Sequence, residues 1–326
     1  MKWLAISLLA ILLLGVRGAA AEPPRIDLPI ETSRGDIVVR AERGLGTIAE
    51  RIADAAATEL KKIYVDLEGL PRPPRVEIRL VAKTEDISRA APHPGVPPWA
   101  VGVAFSKSGV VVAAQRRGGE ILDIDNTVKH ELAHLALGAA LGGRAPRWLN
   151  EGFAYLHSSE WSFARWRTLV AMAWSNDVIE LDAIDASFPR GEQGAHRAYA
   201  QSYDFVAFLA KRGRYIDTDD DGNPLPFRRF LAHIASGKAP SDAAELAFGV
   251  RLPALFREWR TGLRSRYLLV PAEMFGLAVW CLGAVLLVWA FFKRRRQNNA
   301  KLADWEAQEL AQEAARATKG RDTKLG

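Results

Sequence analysis

Val128-Lys129-His130-Glu131-Leu132-Ala133-His134-Leu135, followed a short way on by Trp148-Leu149-Asn150-Glu151-Gly152-Phe153-Ala154, is the stretch from which the rest of the chain can be read. Residues four apart on an α-helix share a face, so the imidazoles of His130 and His134 can converge on one metal ion. Glu131, one step round the helix, can reach a water at that metal without ligating the metal itself. Val128, Leu132, Leu135 and Leu137 make the helix mostly apolar. Histidine and glutamate set among them would be buried without partners unless something binds them, which argues against the alternative of a helix with surface histidines and a solvated glutamate.

A catalytic zinc takes three protein ligands and keeps one open position. Two histidines leave one ligand to find, and Glu151 is the candidate. The intervening Gly142-Gly143-Arg144-Ala145-Pro146 reads as a helix end and a turn. The run from Trp148 then reads as a second helix that returns its carboxylate to the first. Two histidines and a glutamate are the ligand set of glutamate-type zinc peptidases.

These two motifs resemble those of the gluzincin zinc metallopeptidases, the group that includes thermolysin and the zinc aminopeptidases, and most of all the bacterial peptidase MA-like domains. The similarity continues through Ala198-Tyr199-Ala200-Gln201-Ser202-Tyr203 and Phe256-Arg257-Glu258-Trp259-Arg260. It implies Zn2+ held by His130, His134 and Glu151, Glu131 as general base, and a small sheet whose edge strand holds an extended peptide. Residues 99–105 or 109–114 supply that edge. His196, Tyr199 and Tyr203 fall at i, i+3 and i+7, one helical face. Zinc aminopeptidases carry a tyrosine in a Tyr-x-x-Gly context, similar to Tyr199-Ala200-Gln201-Ser202, so Tyr199 is the expected oxyanion donor. The same spacing suits two amphipathic core tyrosines.

Two departures matter. Thermolysin relatives have an aspartate four residues after the ligand glutamate to orient a histidine, and Tyr155 stands there, so that partner is unassigned. Zinc aminopeptidases hold the substrate amine with a Gly-x-Met-Glu-Asn segment, whereas Gly102-Val103-Ala104-Phe105-Ser106 offers no carboxylate. Endopeptidase activity on a peptide or protein substrate is therefore favoured over aminopeptidase activity. The alternative is a catalytically inactive gluzincin-fold module that binds or scaffolds at a membrane. An intramembrane protease is disfavoured because Asp123, Asp125, Asn126 and Lys129 leave too short an apolar run for a span there.

Residues 36–40, 75–81, 99–105 and 109–114 read as strands, 47–67 has helical apolar spacing, and nearly everything from Ile121 reads as helix. The expected fold is α+β, with a small N-terminal α/β subdomain with a short sheet over 22–118, then a mainly helical zinc-binding subdomain over 119–266. Met1-Lys2, an apolar run over 3–16 and Ala19-Ala20-Ala21 have the form of a secretory signal peptide, 1–21, cleaved before Glu22; an uncleaved anchor is the alternative. Residues 274–292 are apolar and end in Lys293-Arg294-Arg295-Arg296, which reads as one C-terminal transmembrane helix within a juxtamembrane and membrane segment, 267–292, and a cytoplasmic tail, 293–326. The expected location is a bacterial cytoplasmic membrane, crossed once, with the catalytic domain outside and membrane-proximal segments within its reach.

The net charge of +6 owes much to that basic cluster, and elsewhere basic and acidic residues interleave as on a solvated surface, so no nucleic-acid partner is expected. The single cysteine, Cys281, lies in the apolar segment and leaves the domain before it without a disulfide. Asp217-Thr218-Asp219-Asp220-Asp221-Gly222 has the oxygen spacing of half a calcium loop. Its twelfth position is Arg228 and Pro224 replaces an apolar residue, which favours a solvated turn.

Overall fold

The computed structural model describes residues 25–158, 163–186, 192–213, 217–223 and 225–269, with 276, 279–299, 301–302 and 305–306. The expected signal peptide, 1–21, lies outside the described residues. In chain order the elements are β1 (Ile30–Arg34), β2 (Ile37–Ala41), α1 (Gly46–Asp66), β3 (Val76–Lys83), α2 (Ile87–Ala90), β4 (Gly102–Phe105), β5 (Val110–Arg117), β6 (Glu120–Ile121), α3 (Ile124–Ala140), α4 (Arg147–Ser158), α5 (Phe163–Ser175), α6 (Leu181–Ala186), α7 (Glu192–Lys211), α8 (Leu225–Ala235), α9 (Pro240–Phe248) and α10 (Leu252–Arg264). They fall into two compact units, one drawn from Met1–Trp166 and Ile179–Arg257, the other from Arg167–Val178 and Glu258–Gly326.

The first unit holds one small mixed sheet, ordered β1-β2-β3-β5-β4, with β6 paired to β5. β2, β3 and β5 are mutually parallel, and β1 and β4 run antiparallel at the two ends. A parallel strand covered on both faces is apolar at every position, and Val110 to Ala114 are all buried. Val110, Val112 and Ala114 pack with Val81, Ile87 and Ala90. Val111 and Ala113 point to the opposite face, where α3 packs on β5. Helix α1 joins β2 to β3 and buries Ala49, Ile52, Ala53, Ala56, Leu60 and Ile63 at helical spacing. Of the two candidate edges, residues 109–114 form the interior strand β5. Residues 102–105, the last part of the other candidate, form the outer strand β4.

The helical part begins at α3. Asp123 caps it by accepting from the Asn126 amide at 3.0 Å. Leu141 closes it, and Gly142 and Gly143, both at positive φ, turn the chain toward α4. Asp185 of α6 accepts from the Arg147 amide at 2.7 Å and so satisfies one open donor at the start of α4. Helix α4 packs between α3 and α7, burying Trp148, Leu149, Phe153 and Ala154.

In the second unit Leu169, Met172, Ala173, Trp259 and Leu263 are buried, and Arg260 donates to the Asn176 carbonyl at 3.3 Å. Here the expected fold needs correction. Among the described residues no helix is long and apolar enough to cross a membrane. Residues 279–299 are helical, but Lys293 and Arg294 to Arg296 lie within that helix. Residues 274, 275, 277 and 278 of the expected span lie outside the described residues. What is observed is a mixed α/β fold, a small sheet with mostly helices.

Candidate metal centre

The one-face prediction for α3 holds in detail. The Nε2 atoms of His130 and His134 face each other at 3.0 Å, and Oε2 of Glu151 lies 3.9 Å from the first and 3.7 Å from the second. Among the described residues these three are the one group of His, Cys, Asp and Glu side chains able to hold a metal ion, with all ligand atoms within 4.8 Å of one another. Bonds of 2.0–2.1 Å at a tetrahedral angle place neighbouring ligand atoms about 3.4 Å apart. The three observed separations bracket that value, so the donor set fits a small divalent cation after shifts of a few tenths of an ångström.

The residue after Glu151 sets how closely its helix packs on α7. A Cβ on Gly152 would strike the Ser202 carbonyl oxygen and lie 2.5 Å from Val206 Cγ2, so only glycine lets α4 approach α7 this closely. The same approach sets the Trp148 ring 5.3 Å from Phe205.

Glu131 is buried. Burial pushes its carboxyl up to about 7, with Glu151 adding to the rise and His134 opposing it. A carboxyl poised there can take and return a proton near neutral pH. The outer strand β4 presses directly on it: a Cβ at Gly102 would come within 2.7 Å of Thr127 Cγ2, 2.8 Å of Glu131 Cγ and 3.0 Å of Glu131 Oε1. At the far end of β4 the Ser106 hydroxyl donates to the His134 carbonyl at 3.2 Å. The strand is thereby fastened alongside the helix that carries both histidines.

Burial also lowers His130 to about 3, helped by His134 and Arg165, so its imidazole is neutral, as a metal ligand must be. Glu151 is raised, chiefly by burial, with His134 and Arg147 opposing. Tyr199 packs its ring 5.4 Å from Tyr155. Its hydroxyl is pushed up to about 12 by burial and then by Glu151, so it stays protonated at neutral pH. Tyr203 stacks under the Arg165 guanidinium at 4.5 Å, and His196 is exposed.

Three neighbours were given no role at the site by the sequence. Tyr155 sets its ring edge-on to His130 at 4.6 Å, Arg165 lies 4.9 Å over Tyr155, and the Ser158 hydroxyl faces His130 Nδ1 at 3.3 Å. The spacing of Glu151, Tyr155 and Ser158, at i, i+4 and i+7 of one helix, was the available signal. The aspartate loop is closed by arginines. Arg229 forks onto Asp217 at 2.6 and 3.2 Å, and Arg228 reaches Asp219 at 2.8 Å and Glu68 at 2.6 Å. Guanidinium groups thus stand where a calcium loop would hold its cation.

A helix-borne histidine pair, a returning glutamate and the buried Glu131 carboxyl beside a sheet edge are the features of a peptidase-like domain. The family model of the Peptidase MA superfamily matches residues 55–265, well over half of the chain, and the chain belongs to that superfamily. Metal dependence is typical of it, in keeping with the His-His-Glu group. Comparison with curated proteins gives no match.

Proposed function

We propose that the chain is a zinc-dependent peptidase that cleaves internal bonds of peptide or protein substrates. The observation that carries this reading is the convergence of His130 Nε2, His134 Nε2 and Glu151 Oε2 on one point with the buried Glu131 carboxyl on the same helix. A divalent cation held by the three would polarise the scissile carbonyl and acidify the attacking water. Glu131 accepts that water's proton and delivers it to the leaving amine. Tyr199 donates its phenolic proton in a hydrogen bond to the oxygen on which charge develops. The outer strand β4 offers main-chain groups to an extended substrate and aligns it past Glu131. The absence of any carboxylate from Gly102 to Ser106 favours internal cleavage over recognition of a free amino terminus. We further propose that the domain works outside the cytoplasm, on the strength of the leader-like sequence of residues 1–21.

The test uses the full chain. Wild type should carry about one zinc by elemental analysis, His134→Ala should carry none, and Glu131→Gln should keep its zinc while losing about a hundredfold or more in hydrolysis of a peptide library. Equal hydrolysis by wild type and Glu131→Gln would refute the catalytic role. An inert wild type that holds zinc would identify a binding module instead.

A further inference from the structure

We propose that Ser158 is the positioning residue of the centre: its hydroxyl fixes which nitrogen of His130 carries the proton and so aims the Nε2 lone pair at the metal position. The proposal takes the metal reading of the site as its frame. Neutral imidazole has one N–H and one lone pair, and the hydrogen bond made by one nitrogen decides the role of the other. His130 turns Nε2 toward His134 and Glu151, and Nδ1 toward Ser158 Oγ at 3.3 Å. Ser158 is 4 % exposed, which leaves little access for water to compete as acceptor. Of the two directions this contact allows, Nδ1–H is assigned as donor to Oγ, because only that tautomer leaves Nε2 with the lone pair a metal needs.

Helix α4 makes this contact rigid. Glu151, Tyr155 and Ser158 lie four and three residues apart on one face, and all three meet the same imidazole or its metal position. Glu151 stands across from Nε2, the Tyr155 ring packs edge-on at 65°, and Ser158 holds the far nitrogen. One helix thus supplies a ligand, a wall and an orienting hydroxyl. Among the described residues nothing equivalent serves His134, whose Nδ1 is buried with no hydrogen-bond partner there.

That asymmetry fixes the proton pattern of the metal-free centre. With His130 protonated at Nδ1, its Nε2 can only accept, so across the 3.0 Å gap the His134 Nε2–H is the donor. The unpartnered His134 Nδ1 is then the bare nitrogen. Ser158 determines both tautomers, one directly and one through His130.

Ser158→Thr and Ser158→Val have the same shape and differ in the hydroxyl alone, so packing effects cancel between them. In metal-free full chain with nitrogen-15 histidine, wild type and Ser158→Thr should show His130 as the Nδ1–H tautomer, and Ser158→Val should shift it toward Nε2–H. In chelator competition, Ser158→Val should bind zinc roughly ten- to a hundredfold more weakly than Ser158→Thr, with matching thermal unfolding of the metal-free proteins. An unchanged His130 tautomer in Ser158→Val overturns the proposal whatever zinc does, and so does equal zinc affinity in the two variants. A wild type that binds no zinc refutes the metal reading separately, while the tautomer measurement still decides the role of Ser158.

Discussion

Replacing Glu131 by glutamine should make the metal-free chain more stable at neutral pH, although it removes the proposed base. The Glu131 carboxyl ionises near 4.5 in an unfolded chain and near 7 in the folded one, chiefly because it is buried. Below pH 4.5 both states hold the proton and folding loses nothing. Between 4.5 and 7 the unfolded chain releases it and the folded chain does not, so stability falls as pH rises. Above 7 the deficit is constant. A displacement of about 2.5 pH units at 1.36 kcal/mol per unit amounts to about 3 kcal/mol. Glutamine has nearly the same shape and no charge to bury. Urea unfolding of both full chains in excess chelator should therefore show Glu131→Gln gaining about 3 kcal/mol on wild type between pH 4 and pH 8. His130, held near 3 in the folded state, titrates in both chains and drops out of the difference. Parallel stability profiles across that range would refute the claim that Glu131 is a desolvated carboxyl.

Gly152→Ala forces α4 away from α7 and should cost about 1–3 kcal/mol, as overpacking does; thermal unfolding measures it, and zinc affinity should fall with it because Glu151 moves too. Tyr199→Phe removes the proposed oxyanion donor and should lower kcat about a hundredfold or more with zinc content unchanged, which steady-state kinetics and elemental analysis check together. Arg228→Met takes the guanidinium from Asp219 and Glu68 and should destabilise by about 1–3 kcal/mol in urea unfolding. Added calcium should not restore the loss, because the loop is built around arginine.

The histidine pair and Glu151 were legible because ligand chemistry ties residue type to helical spacing, and α1 and β3 because their apolar periods are clear. β1 was not: Ile30-Glu31-Thr32-Ser33-Arg34 is polar and mostly exposed, joined to β2 through Gly35 at φ 59°, so neither period nor burial announces it. The choice between β4 and β5 as the outer strand turned on a usable signal. Val110-Val111-Val112-Ala113-Ala114 has no polar alternation, which marks an interior strand. The expected span was read from an apolar run closed by a basic cluster, and among the described residues no helix is long and apolar enough to cross a membrane. Ser158 was missed because a hydroxyl that orients a ligand has no characteristic spacing of its own until the helix face is drawn.

The strand β4 ends the sheet with only four residues, Gly102 to Phe105, and that brevity bears on how the chain behaves in a crowd. An unpaired row of backbone donors and acceptors recruits any extended chain it meets, including the same strand of another copy. A peptidase of the kind proposed cannot blunt this edge with proline or cover it without closing its own cleft. A short strand limits each pairing to few hydrogen bonds, and the glycine facing Glu131 gives an invading strand no side chain to grip. The chain can then hold a passing peptide without nucleating a ribbon of its own copies. Lengthening β4 with β-branched residues would trade that reserve for self-association.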